Sequence, residues 1–174
     1  MGTADAGLAV LRVGTGLTVA AHGAQKLFGW FGGGGREGTT GMMGRLGFEP
    51  AERSALAAGI GEFGGGLLLA AGAGTPIGST MVTGTMIVAA STQLPKGFFV
   101  IKGGIEYPAM LALVAASLAL TGPGSASVDN ALRWRPGLGL RLAGVGAAVT
   151  MASVVISRRR SVVRSREAAA AASA

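Results

Sequence analysis

The feature that most constrains this chain is its first long apolar segment, residues 8–33, with the sequence LAVLRVGTGLTVAAHGAQKLFGWFGG. About 20 apolar residues in a helix are enough to cross the hydrocarbon of a bilayer. The segment also carries three ionisable side chains, Arg12, His22 and Lys26. Since a charge at the centre of a membrane helix costs at least about 2.5–3.5 kcal/mol, these side chains need partners or a function.

The composition places the chain among membrane proteins. Only 13% of the 174 residues are charged, whereas soluble domains average about 25%, and the mean hydropathy is +0.53. The 32 glycines follow no three-residue period, so a collagen helix is excluded. The absence of cysteine excludes disulfides, thiolate catalysis, iron–sulfur clusters and cysteine-based zinc sites.

Further apolar runs predict an all-α, polytopic transmembrane helix bundle. We expect four core spans and a fifth, C-terminal span, with an interfacial helix as the alternative for the fifth. The predicted spans cover residues 8–28, 54–74, 77–94, 105–120 and 138–156. We name the side on which the chain starts side A and the opposite side side B.

The organisation outside the spans follows from local composition. Residues 1–130 are expected to form the four-helix bundle, 131–157 an extra apolar helix, and 158–174 a basic, disordered tail. Residues 1–7 lack the basic start of a secretory signal, so the first span is expected to be retained. The polar loop 32–53 is expected to contain a short helix around 42–46.

Five arginines are concentrated in the tail, which accounts for much of the net charge of +7. Such a cluster beside an apolar span is typical of a cytoplasmic anchor next to anionic lipid, and nucleic-acid binding is not expected. The tail predicts a plasma membrane protein with a cytoplasmic C-terminus. The five residues are Arg158, Arg159, Arg160, Arg164 and Arg166.

Ionisable residues from three predicted helices converge on the side-B half of the membrane. His22 and Lys26 are four residues apart and share a helix face, and Arg12 lies about 40° from that face. Glu62 and Glu106 supply the acids, and Lys102 lies beside Glu106 in sequence. The sequence leaves two interpretations open: structural ion pairs, or a pocket for a quinone, a small anion or protons. A metal site is not expected from a single histidine.

The order and spacing of several short motifs resemble the DoxX family of small bacterial membrane proteins. The resemblance extends over about residues 8–130, and the Ala, Gly and Arg bias is compatible with an actinobacterium. It is carried by Leu11-Arg12, Gly16, His22-Gly23, Lys26-Leu27-Phe28-Gly29, Glu62 with Gly65-Gly66, Lys96-Gly97-Phe98-Phe99, Gly104-Ile105-Glu106-Tyr107-Pro108, Gly122-Pro123-Gly124, Ser127 and Asp129.

The resemblance implies a four-helix membrane bundle with Arg12, Lys26, Glu62 and Glu106 inside it. The family is named after a subunit of a thiosulfate:quinone oxidoreductase. Some actinobacterial members are linked to a membrane complex with superoxide dismutase and a sulfurtransferase, which is concerned with oxidative stress. The fifth apolar run and the arginine tail depart from the family pattern.

The sequence is therefore compatible with three functions. The first is a non-catalytic, auxiliary subunit of a quinone-linked or oxidative-stress redox complex, with no covalent cofactor and with quinone as a candidate ligand. The second is a catalytic quinone-reducing subunit, although a chain with one histidine and no cysteine cannot hold a haem or a cluster in the usual ways. The third is a proton-coupled carrier. Homo- and hetero-oligomers both remain open.

Overall fold

The computed structural model describes residues 2–173 and is helical throughout, with no strand among them. Met1 and Ala174, the outer ends of the expected leader and tail, lie outside the described residues. Short 3-10 turns join some of the helices. The α-helices are α1 (Thr3–Phe28), α2 (Gly35–Arg45), α3 (Ala51–Ala71), α4 (Thr75–Gln93), α5 (Glu106–Thr121), α6 (Val128–Ala131) and α7 (Leu138–Ala172).

Three of these helices, α1, α3 and α7, are long and apolar enough to cross a membrane. The shorter α5 is also apolar, and α4 packs against α3, α5 and α7. Together the helices confirm the predicted all-α membrane bundle. The predicted spans agree with α1, α3, α4 and α5 to within a few residues, except at the start of α1.

Close packing of α1 on α3 is made possible by glycines. A methyl carbon at Gly16 would lie 2.5 Å from the backbone nitrogen of Ala70, and one at Gly66 would lie 2.6 Å from the carbonyl oxygen of Gly16. The two backbones are therefore in direct contact, as in other membrane helices with small residues at their interface. This contact brings the polar face of α1 against α3.

The last helix crosses the full depth of the bundle beside α4. Near side A, a methyl group at Gly144 would meet the hydroxyl of Thr80, and halfway along, Gly84 lies against Ala148. At side B, Arg159 and Arg166 reach the turn between α2 and α3. These contacts, with a length and apolarity sufficient to cross a membrane, agree with a fifth span.

The expected disorder of residues 158–174 is not observed, because α7 continues to Ala172. Residues 158–172 contain no glycine or proline, and residues 168–172 are all alanine, the residue with the highest helix propensity. Arg159 Nε donates to the carbonyl of Leu46 at 2.7 Å, and Arg166 donates to the carbonyl of Gly44 at 2.7 Å. These tertiary contacts hold the tail as a helix.

The loop 32–53 is also more ordered than the sequence predicts. Instead of a short helix around 42–46, α2 covers Gly35–Arg45 and packs against α1 and α3. Met43 and Phe48 are buried with Ala55, so the loop has a small apolar core of its own. This core supports the side-B end of the bundle, where most of the candidate site lies.

Candidate functional site: a polar cluster at the side-B end of α1, α3 and α5

An ion pair between Lys26 and Glu62 forms the buried part of the site. Lys26 Nζ donates to Glu62 Oε2, and the side chains are 23% and 3% exposed, respectively. Lys26 lies in the last turn of α1, and its carbonyl accepts a 3.2 Å hydrogen bond from the hydroxyl of Thr39 on α2. Lys26 and Glu62, which the sequence places in the same half of the membrane, therefore form an ion pair, and α2 closes over the lysine.

A second pair, between His22 and Tyr107, connects α1 to α5. His22 Nε2 lies 2.9 Å from the Tyr107 hydroxyl, and His22 Nδ1 lies 3.1 Å from Gln25 Oε1. Gln25 Nε2 donates to the carbonyl of Phe31 at 3.3 Å, which leaves the amide oxygen facing the ring. The network thus assigns the proton of a neutral His22 to Nδ1, so that Nε2 accepts from Tyr107.

The two pairs belong to one cluster. His22 is one helical turn before Lys26, so the two pairs start from neighbouring positions on the same face of α1. Tyr107 is 41% exposed at the rim, whereas Glu62 is buried. The arrangement therefore runs from a bundle-buried carboxylate to a phenol at the surface of the bundle.

Glu106 and Lys102, both predicted to belong to the cluster, lie outside it. Glu106 Oε2 accepts a 2.9 Å hydrogen bond from the backbone N–H of Val100, and its own N–H donates to the carbonyl of Phe98 at 2.8 Å. Glu106 is the first residue of α5, and its carboxylate accepts a hydrogen bond from the loop that folds back before the helix. Lys102 is exposed in the same loop.

Arg12 lies near the opposite end of α1, as its position in the sequence predicts, but its partners are not those expected. Fourteen residues separate it from Lys26, about 21 Å along the helix. Arg12 is 3% exposed, and its Nη2 donates to the carbonyl of Ala126 at 2.6 Å. Its guanidinium occupies the space that a side chain at Gly72 would fill. None of the ion pairs among the described residues includes Arg12, so neither Glu62 nor Glu106 is its partner.

Asp129 is a buried acid whose partners were not predicted from the sequence. It is 2% exposed, and its carboxylate accepts hydrogen bonds from the Gly74 N–H at 2.7 Å, the Thr75 N–H at 2.9 Å and the Thr75 hydroxyl at 2.7 Å. It thereby caps the positive end of α4. The sequence signal was a lone acid just after a Gly-Pro-Gly turn, opposite a span with an unmatched arginine.

Gln25 and Tyr107 were also missed as site residues, although Tyr107 belongs to the motif that carries the family resemblance. The signal for Gln25 was its position between His22 and Lys26. Residues 2–173 contain no group of three side chains suited to hold a metal ion. The side chains of the cluster can donate and accept hydrogen bonds.

Comparison with known proteins identifies the family of this chain. The DoxX family model matches residues 7–102, which is more than half of the chain and includes Arg12, His22, Lys26 and Glu62. The matched region ends before Tyr107 and Asp129. No curated protein and no solved structure matches the chain. The extent of the family match, on a bundle of the expected helical class, shows that the chain belongs to the DoxX family.

Proposed function

We propose that this chain is an auxiliary membrane subunit of a quinone-linked redox complex and that it binds quinone at the polar cluster. The observation that carries the proposal is the His22–Tyr107 hydrogen bond at the rim, beside the buried Lys26–Glu62 pair. A quinone carbonyl needs a hydrogen-bond donor at the edge of an apolar region. Tyr107 can offer its hydroxyl there to a lipid-soluble ring if its single O–H turns from His22 Nε2 to the quinone carbonyl.

His22 Nε2 accepts from the same phenol, so Tyr107 has an acceptor for its proton when no quinone carbonyl is bound. The electrons must come from another protein, because the chain has no cysteine and a single histidine. This supports an auxiliary subunit, with a superoxide dismutase or a sulfurtransferase as the candidate partners.

Charge asymmetry supports a cytoplasmic side B and an external N-terminus. The structure places ten Lys and Arg residues on side B, in the α1–α3 loop, the α4–α5 loop and the end of α7, against three on side A. Cytoplasmic segments carry the excess of such residues. The side-B set is Arg36, Arg45, Arg53, Lys96, Lys102 and the five tail arginines, and the side-A set is Arg133, Arg135 and Arg141.

Quinone binding is tested by extracting the protein directly into lipid nanodiscs and measuring co-purified quinone by mass spectrometry. Tyr107→Phe removes only the hydroxyl, and Thr18→Val is the control, since the Thr18 hydroxyl bonds within its own helix. We expect wild type and Thr18→Val to retain quinone above that of empty nanodiscs and Tyr107→Phe to lose about 80–90% of that excess, the effect of one lost hydrogen bond of about 1 kcal/mol. Equal retention in Tyr107→Phe would overturn this site.

The orientation is tested with single cysteines in a chain that has none. A membrane-impermeant maleimide applied to intact cells should label Gly2→Cys and should label Ser173→Cys only after lysis. Labelling of Ser173→Cys in intact cells would reverse the proposed orientation. Co-purification in mild detergent followed by native mass spectrometry would identify the electron-donating partner.

A proton-coupled carrier is the second candidate, favoured by the burial of Glu62 in the middle of α3. It predicts proton-driven flux in liposomes that disappears in Glu62→Gln. Quinone retention without any such flux would leave the redox subunit as the better explanation.

A further inference from the structure

The C-terminal half of α7 has two different faces. One face docks on the bundle: Arg159 stacks over Phe48 with 5.5 Å from its guanidinium carbon to the ring centroid, and Arg166 pairs with Glu49 at 2.6 Å. At 100° per residue, Arg160 and Arg164 point roughly away from that face. Both are exposed, and neither takes part in an ion pair of the described residues.

The outward face carries a shallow, open groove between the side chains of α7. Serines and arginines alternate along it, with Ser157, Arg160, Ser161 and Arg164 among the lining residues and Ser153 and Ile156 at its side-A end. All the lining residues belong to α7, so no other part of the described chain forms the opposite wall. In a membrane, that wall is supplied by the surrounding lipid.

The depth of the groove in the membrane is fixed by the helix itself. The apolar part of α7, residues 138–156, is about 28 Å long, close to the thickness of the hydrocarbon. Ile156 is the last residue of that part, so Ser157 to Arg164 lie at the level of the lipid headgroups. Two guanidinium groups flanked by hydroxyls at this level are complementary to a phosphate.

We infer that this groove binds the headgroup phosphate of an anionic phospholipid, with Arg160 and Arg164 as its charged ligands. Unlike Arg159 and Arg166, which dock on the bundle, these two arginines make no hydrogen bond or ion pair with the residues that the structure describes. The site is separate from the His22–Tyr107 cluster and does not depend on quinone binding.

The test is a lipid titration of the full chain in a neutral detergent, followed by native mass spectrometry. Phosphatidylglycerol is the probe, and phosphatidylcholine and inorganic phosphate are the comparison arms. The variant is Arg160→Gln/Arg164→Gln. The control is Arg158→Gln/Arg133→Gln, which loses the same charge at two other exposed arginines.

We expect wild type to retain phosphatidylglycerol in preference to phosphatidylcholine. At about 1 kcal/mol for each arginine near an anionic surface, the double variant should bind phosphatidylglycerol about 30-fold more weakly, and the control should change less than about threefold. Equal weakening in the control would show attraction by net charge alone and overturn the site. Displacement of the lipid by millimolar phosphate would show a free-anion site instead.

Discussion

The ion pair between Lys26 and Glu62 makes the sharpest prediction, because its two partners differ in their access to water. Glu62 is almost fully enclosed, whereas Lys26 is 23% exposed in the last turn of α1. Glu62→Gln leaves a lysine that can extend towards the interface. Lys26→Met leaves a carboxylate that cannot reach the interface. The two single variants should therefore lower the free energy of unfolding by different amounts.

The magnitudes follow from this asymmetry. Breaking a buried pair costs about 3–5 kcal/mol, and the flexible stem of Lys26 should reduce the cost of Glu62→Gln to about 2 kcal/mol. In Lys26→Met the abandoned carboxyl can take up a proton, which costs a carboxyl of ordinary acidity about 3.7 kcal/mol at pH 7 and about 1 kcal/mol at pH 5. The destabilisation of Lys26→Met should therefore shrink by up to about 2.7 kcal/mol on acidification.

The assay is reversible unfolding by SDS in mixed micelles, followed by circular dichroism, at pH 7 and pH 5. At pH 7 the double variant Lys26→Met/Glu62→Gln should lose about 2 kcal/mol of unfolding free energy. This loss is about 3 kcal/mol smaller than the sum of the losses in the two single variants. Lys102→Met and Glu37→Gln, at exposed positions, are the controls and should stay within about 0.5 kcal/mol of wild type. Additive single costs, or a Lys26→Met cost that does not fall with pH, would refute the buried pair.

The same unfolding assay checks three further predictions. Asp129→Asn should cost about 1–3 kcal/mol, because one of the two buried carboxylate oxygens that accept from Gly74 and Thr75 is replaced by an amide donor; a cost below about 0.5 kcal/mol would contradict this role. Gly16→Ala should cost about 1–3 kcal/mol by forcing α1 and α3 apart, whereas Gly14→Ala, where the added carbon meets nothing within 4 Å, should be neutral or stabilising. Arg166→Gln should cost no more than about 1 kcal/mol, since its pair with Glu49 is half exposed, but should speed proteolytic trimming of the C-terminus.

Hydropathy predicted most of the fold, because membrane-spanning helices require long apolar runs that stand out in a single sequence. Helix geometry also predicted the contact between Lys26 and Glu62: a lysine and an acid at similar depths in adjacent spans have few other partners. The resemblance placed the same two residues inside the bundle, in the region that the family model matches.

The partners of Arg12 and Glu106 could not be predicted, because they lie in irregular segments. Arg12 bonds to the carbonyl of Ala126, and Glu106 bonds to the N–H of Val100. Backbone groups in loops carry no sequence signal, so charge balance alone paired Arg12 and Glu106 with other ionisable side chains. The helical order of the tail could not be predicted for the same reason, because the tail is held by hydrogen bonds to the backbone carbonyls of Gly44 and Leu46.

The docking of α7 on the turn between α2 and α3 has a consequence for how the protein is made. Ribosomes release the chain from the N-terminus, so residues 44–49 enter the membrane system long before Arg159 and Arg166 have been translated. The four earlier spans, α1, α3, α4 and α5, are made before the last helix, so the surface of α4 that packs on α7 stays open to lipid or to an insertion factor until α7 has been made. If translation stalls before α7 is complete, the polar cluster can form but α4 lacks its α7 neighbour. Quality-control proteases could distinguish such a chain from the finished protein.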